Sequence, residues 1–300
     1  MTKGVSGFGA CNAPSNNVRG ILWALLATGL FAVTGAMAKI AVTEYHVLQI
    51  LFFRQIVVFM SALPAITASF PESLKTHHPG WHAIRLVGAF VALSSGIWAV
   101  AVLPLTTAIT LGFVQVFFVA LLSAQILRER VGAQRLVAIC AGFLGVVIIL
   151  RPGTGGVADW NAFIPIAGAM GAAVAVISVR KLSQTESTAT LLAYQSIFVG
   201  VLAAIPLPWF WKTPDLIGFS FLLAMGVIAT GGQWFGVKAL RLAEASVIGN
   251  IQYMQLIYAS LLGFVIFDEV PDLFTISGAV VIVGSALYLL HHETLSKRVT

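Results

Sequence analysis

Three hundred residues, 59% hydrophobic and only 9% charged, cannot make an ordinary water-soluble domain, whose surface calls for roughly 25% charged residues. The 17 Lys and Arg exceed the 11 Asp and Glu, yet they stand singly between apolar runs and form no stripe, which excludes a nucleic-acid partner. Most of this chain's surface must face lipid.

A spanning helix needs about 20 mostly apolar residues. Ten such runs follow one another between polar or Pro/Gly punctuation, at 19–41, 47–68, 83–102, 106–127, 134–150, 161–181, 188–209, 216–239, 245–267 and 273–291. The first imitates a secretory leader, with Arg19, an apolar run from Ile21 to Val33, and Ala36-Met37-Ala38 in the order of an Ala-x-Ala cleavage site. The apolar character runs on through Ile40, Ala41 and Val42, so a retained spanning helix is expected. Very short junctions around Pro104 and around Ala243-Glu244 make the flanking helices antiparallel neighbours. The two cysteines set no disulfide framework and no metal-ligand spacing. Cys11 lies in a polar tail as an expected free cytoplasmic thiol, and Cys140 is expected as a small buried hydrophobe.

Lys and Arg concentrate on the cytoplasmic side of membrane proteins. With both termini inside, that side receives Lys3, Arg19, Lys75, Arg85, Arg128, Arg130, Arg135, Arg180, Lys181, Lys238, Arg241, Lys297 and Arg298. The other side receives only Lys39, Arg54, Arg151 and Lys212. Cytoplasmic N- and C-termini in a multi-pass protein of a bacterial inner membrane are therefore expected.

The chain also repeats itself. Thr110, Gln115 and Glu129 recur as Asn250, Gln255 and Glu269, each 140 positions later. Ser95-Gly96-Ile97-Trp98 recurs as Gly231-Gly232-Gln233-Trp234 at an offset of 136, and Gly29 and Lys39 match Gly171 and Lys181 at 142. Each copy holds five helices, an odd number, so the second enters the membrane from the opposite side. An all-α integral membrane protein is expected, with ten helices as two inverted repeats, 1–151 and 152–300, around a central cavity.

Polar side chains inside a bilayer are costly and therefore informative. The ninth run is the richest, with Asn250, Gln252, Tyr253 and Gln255 on a broad polar arc. The eighth adds Thr230, Gln233 and Trp234, the third Ser94, Ser95 and Trp98, and the fourth Thr110 and Gln115. One reading makes them an uncharged, aromatic-flanked cavity for a zwitterionic or weakly polar metabolite, the Trp and Tyr rings stacking on its side chain. The other makes the amides helix–helix hydrogen bonds and the two Trp core packing. Lys39 and Arg54 lie within or at the ends of helices on the sparsely basic side, where either meets a substrate carboxylate or merely snorkels. Glu44, Glu129, Asp159, Glu244, Asp268 and Glu269 all sit near helix ends, and the histidines lie in loops or at ends. No buried proton carrier is evident, which favours facilitated movement or exchange. There is no phosphate loop, metal-ligand spacing or Gly-x-Ser-x-Gly elbow, so neither a cofactor nor an enzyme activity is expected.

Several short motifs carry a family resemblance. The first half has Gly35, Lys39, Leu51-Phe52-Phe53-Arg54, Ala101 to Ala108 around Pro104, Leu127-Arg128-Glu129-Arg130-Val131, Gly142 and Gly145. The second has Ala239-Leu240-Arg241-Leu242-Ala243-Glu244-Ala245, Phe267-Asp268-Glu269-Val270, Gly278 and Gly284. On these the sequence resembles the EamA-type ten-helix branch of the drug/metabolite transporter superfamily, and within it the amino-acid exporters, including YddG-type exporters of aromatic amino acids. The resemblance implies a basket of helices that moves small metabolites or drugs, often outward, with basic residues at the places of Lys39 and Arg54. Its members often carry a Pro in the middle of the fourth and ninth helices. Gln115 and Gln255 stand there instead, which puts that kink in doubt. A small-molecule substrate and the bilayer are the implied partners. Monomer and homodimer are left open.

Overall fold

The structure is a computed structural model that describes residues 14–68, 76, 78–126, 133–150, 160–182, 186, 188–242 and 251–299. Among these residues there are helices and no strands, as a chain must have when lipid offers no partner to its N–H and C=O groups. The helices are α1 (Pro14–Ala41), α2 (Val47–Ala68), α3 (Pro79–Val102), α4 (Leu105–Gly112), α5 (Gln115–Ile126), α6 (Ala133–Leu150), α7 (Phe163–Leu182), α8 (Thr188–Ala204), α9 (Leu207–Phe210), α10 (Leu216–Leu242), α11 (Met254–Phe267) and α12 (Leu273–Val299). Among the described residues six segments are long and apolar enough to cross a membrane, and four shorter apolar helices occupy the remaining expected places.

Two of the predicted runs are divided. The fourth breaks into α4 and α5 at Phe113-Val114, and the ninth is interrupted at Tyr253, 140 positions later. Neither place has a proline. At both, backbone bonds tighten to the i−3 carbonyl: Phe113 N–H to Thr110 O at 3.1 Å, Val114 N–H to Leu111 O at 3.2 Å, and Leu256 N–H to Tyr253 O at 3.0 Å. The doubt about a kink is thus answered by a break of 3₁₀ character in each helix. The seventh run ends early, at Ala204, because Pro206 lacks a donor and disfavours the α region for the residue before it.

Neighbours are exchanged between the two halves. The most extensive pairings are α3 with α7 and α1 with α10, followed by α6 with α12 and α2 with α8. Glycine sets the closest of these approaches. A Cβ on Gly88 would lie 2.7 Å from the Gly171 carbonyl oxygen, and one on Gly171 would lie 2.8 Å from that of Gly88, so α3 and α7 touch backbone to backbone. Gly145 and Gly278 do the same for α6 and α12, at 2.9 and 2.7 Å. Lipid tails are as apolar as leucine, so close packing over small residues is what holds such helices together. Cys140 is exposed on the outside of α6, contrary to the expected burial. In lipid an outward apolar face draws no penalty, so an apolar run does not say which of its residues are inside.

Candidate functional site

The walls of a central cavity of about 510 Å³ come from eight of the described helices, α1 to α5, α7, α10 and α11. On α1 the lining residues are Ala24, Ala27, Thr28, Phe31, Thr34, Gly35 and Ala38, one helical stripe of mostly small side chains. The facing walls repeat this economy, with Ala92, Gly96 and Ala99 on α3 and Pro165, Gly168 and Ala172 on α7. Small residues leave the space, and its size falls within the roughly 300–1,000 Å³ usual for small-molecule sites.

Few polar groups line it. Thr28 and Thr34 spend their hydroxyls on their own helix, donating to Leu25 O at 3.0 Å and Leu30 O at 2.8 Å. Four larger groups remain: Arg54 of α2, Gln115 at the start of α5, Gln252, and Gln255 in the first turn of α11. The two helix breaks place Gln115 and Gln255, so the start of a helix, the positive end of its dipole, stands at the wall twice. Arg54 has no hydrogen bond or ion pair with any described residue, nor have the three amides. A half-buried guanidinium without an acceptor is costly at membrane depth. Its backbone is brought near α10 by Gly226, where a Cβ would lie 3.6 Å from the Arg54 Cα. Phe31 and Phe113 supply the aromatic lining, and Tyr253 tilts against Phe113 with ring centroids 5.0 Å apart.

The other predicted site residues stand off the wall. Trp98 and Trp234 are 53% and 55% exposed on the outward faces of α3 and α10. Ser95 packs on α7, its Cβ 2.9 Å from where a side chain on Gly168 would begin. Thr110 is fully buried and donates to Thr106 O at 2.7 Å. Gln233 is half-buried on α10, Tyr253 backs Phe113, and Asn250 and Glu129 lie outside the described residues. Trp98→Ala and Trp234→Ala are accordingly expected to change transport by less than about twofold, as outward surface substitutions do. A larger loss in initial uptake rates at equal protein levels would return these rings to the site.

Lys39 is engaged rather than free. Its ammonium pairs with Glu269 and donates to Leu103 O at 2.9 Å, while the Glu269 carboxylate also accepts the Leu105 N–H at 2.8 Å. That N–H opens α4 and would otherwise lack a helical partner. Glu269 reaches it because Asp268 takes a left-handed turn, φ 54°, and the Glu269 N–H returns to Gly263 O at 3.0 Å. This knot lies just past Ala38, the last cavity residue of α1, and joins α1, α4 and α11. On the same face Lys212 pairs with Glu44, which raises the Lys212 pKa above its ordinary value, and Gln49 donates to Lys212 O at 2.7 Å.

At the opposite end a second cluster clamps α3 to the α7–α8 junction. His82 pairs with Glu186, and Arg85 donates to Leu191 O at 2.9 Å and Gln195 Oε1 at 3.0 Å. His82 sits at an element end, as expected, yet its side chain and that of Glu186 are only 3% and 2% exposed. Hydropathy places such residues along the chain and says nothing of what folds over them.

The profile of the EamA-like transporter family matches residues 18–151 and again 160–290. An S-adenosylmethionine uptake transporter of Rickettsia prowazekii (strain Madrid E) is 28% identical over 281 residues, 93% of this chain and 95% of that one. A riboflavin transporter of Vibrio cholerae is 29% identical over 291 residues, 94% and 96% of the two chains. The pseudopaline exporter CntI of Pseudomonas aeruginosa is 29% identical over 272 residues, covering 90% and 95%. A solved crystal structure superposes with a TM-score of 0.59 over 95% of this chain and 98% of that one, at 18% identity, a likeness of fold alone. One matched stretch covers each half of this helical chain, and the chain belongs to the EamA-like transporter family.

Proposed function

We propose that this multi-pass membrane protein carries a small metabolite bearing a carboxylate, most simply a neutral or aromatic amino acid or a derivative of one, through the central cavity. The observation that carries the reading is Arg54, a cation on the cavity wall with no acceptor among the described residues. A substrate carboxylate completes it with paired charge-assisted hydrogen bonds. Gln115, Gln252 and Gln255 offer donors and acceptors to the ammonium and other polar groups, while Phe31 and Phe113 meet the apolar part.

Transport proceeds in this reading by alternating access, with the halves 1–151 and 152–300 rocking about the cavity. It is facilitative or by exchange, out of the cell and across the bacterial inner membrane, with both termini cytoplasmic. The Rickettsia relative's name supports a second reading, uptake of a larger metabolite. S-adenosylmethionine carries an amino-acid head group, so Arg54 serves either substrate.

The test is counterflow in proteoliposomes of known protein orientation. Labelled aromatic and aliphatic amino acids are offered alongside their decarboxylated amines, S-adenosylmethionine and riboflavin. Saturable movement of the acids but not the amines supports the proposal, and net flux from the cytoplasmic face assigns export. Movement of riboflavin alone, or equal movement of acids and amines, overturns it. A pH-sensitive dye in the same vesicles detects any proton movement that accompanies the substrate.

A further inference from the structure

Outside the central cavity, α1 and α10 flank a second, open hollow of about 600 Å³, lined by Arg19, Leu22, Trp23, Leu26, Lys238 and Leu242. Its chemistry is sorted by depth. Arg19 and Lys238 flank the ends of two apolar spans, Val18–Ala41 and Leu216–Gly236, where head groups begin. Leu22 and Leu26 follow Arg19 one and two turns deeper on the same face, 60% and 46% exposed. Trp23 stands between the two zones, its ring tilted on Phe235 at 4.9 Å and carrying the Lys238 ammonium 4.0 Å from its centroid.

Among the described residues no carboxylate lines this hollow, and Arg19 has no hydrogen bond or ion pair with a described residue. Two like charges from opposite halves of the chain line this one hollow, and an anion in it pairs with both. The exposed leucines beneath call for a hydrocarbon chain attached to it. A soluble anion satisfies only the first demand and a neutral lipid only the second. We infer that the hollow between α1 and α10 is a site for one anionic phospholipid, its phosphate held by Arg19 and Lys238 and an acyl chain laid along Leu22 and Leu26. The lipid bridges the two halves across a helix pair that any rocking of one half against the other must shear.

The full-length chain, stripped of lipid in detergent, is titrated with phosphatidylglycerol and with phosphatidylcholine, and bound lipid is counted by native mass spectrometry. Each basic residue near an anionic lipid contributes enough that the pair should give about a thirtyfold preference for phosphatidylglycerol. Arg19→Gln with Lys238→Gln should bring that preference to within about twofold, and raised salt should do the same to the wild-type chain, since the attraction is screened. Both side chains are exposed, so unchanged thermal unfolding of the double variant in phosphatidylcholine is expected. The salt titration tests the site should that variant misfold. Equal binding of the two lipids by the wild-type chain, an undiminished preference in the double variant, or insensitivity to salt overturns the inference. So does displacement of the lipid by millimolar inorganic phosphate, which makes the hollow a soluble-anion site.

Discussion

Arg54→Gln is expected to lower the transport rate at low substrate by about tenfold to a hundredfold, the loss of one hydrogen-bonded charge contact of roughly 1.5–3 kcal/mol. The same substitution should raise the thermal stability of the empty protein or leave it unchanged. The guanidinium has no acceptor in the described structure, so replacing it removes a desolvation penalty and breaks no hydrogen bond or ion pair with a described residue. Loss of function with no loss of stability separates a substrate-binding group from a structural one. A comparison with the decarboxylated substrate makes the test sharper. If Arg54 meets the carboxylate, the wild-type chain prefers the acid to the amine by the factor the variant loses, and Arg54→Gln treats the two alike. Arg54→Lys should recover part of the rate, keeping the charge without the planar fork. Equal losses on acid and amine would assign Arg54 to helix packing instead.

The placement of Arg54 and the cavity glutamines is legible because a basic or amide side chain in lipid demands a reason. Positions 115 and 255 sit 140 apart in the sequence and meet one cavity in the fold. Trp98 and Trp234 show where that logic stops. As repeat partners they have nearly equal exposure, 53% and 55%. Their shared face is outward, and a tryptophan is at home on either side of a membrane helix. The breaks at Phe113 and Tyr253 leave little trace either, because a 3₁₀ turn without proline changes which carbonyl accepts and alters no residue type. The Ala and Gly stripe of α1, α3 and α7 has the opposite problem. Those residues look like helix packing, and some are, as Gly88 and Gly171 demonstrate. Which small residues face a helix and which face empty space depends on how all the helices are arranged.

The knot of Lys39, Glu269 and the α3–α4 junction is where substitution is expected to change the shape of the protein rather than its affinity. Read singly, each residue is a charge at a helix end. In the fold Lys39 and Glu269 come together across 230 positions, 17% and 19% exposed, with Leu103 O and the Leu105 N–H completing the bonds. They draw α1 against α4 and α11 just beyond Ala38, the last cavity residue of α1, and parting the knot is expected to open that end. Water reaches the pair, which reduces the penalty of breaking it below that of a fully buried one. Lys39→Met or Glu269→Gln should each cost about 1–3 kcal/mol of the closed arrangement, a five- to 150-fold shift in its population. Spin labels at the exposed Thr43 and Val270 should report this as a longer or broader distance distribution. The double variant decides whether the two residues act as one latch. Once either partner is gone its mate has little left to lose, so the combined effect should fall well short of the two single effects added. Additive effects, or an unchanged distance distribution in all three variants, would leave the contact a fixture of the closed fold and move the gate to another part of the cavity wall.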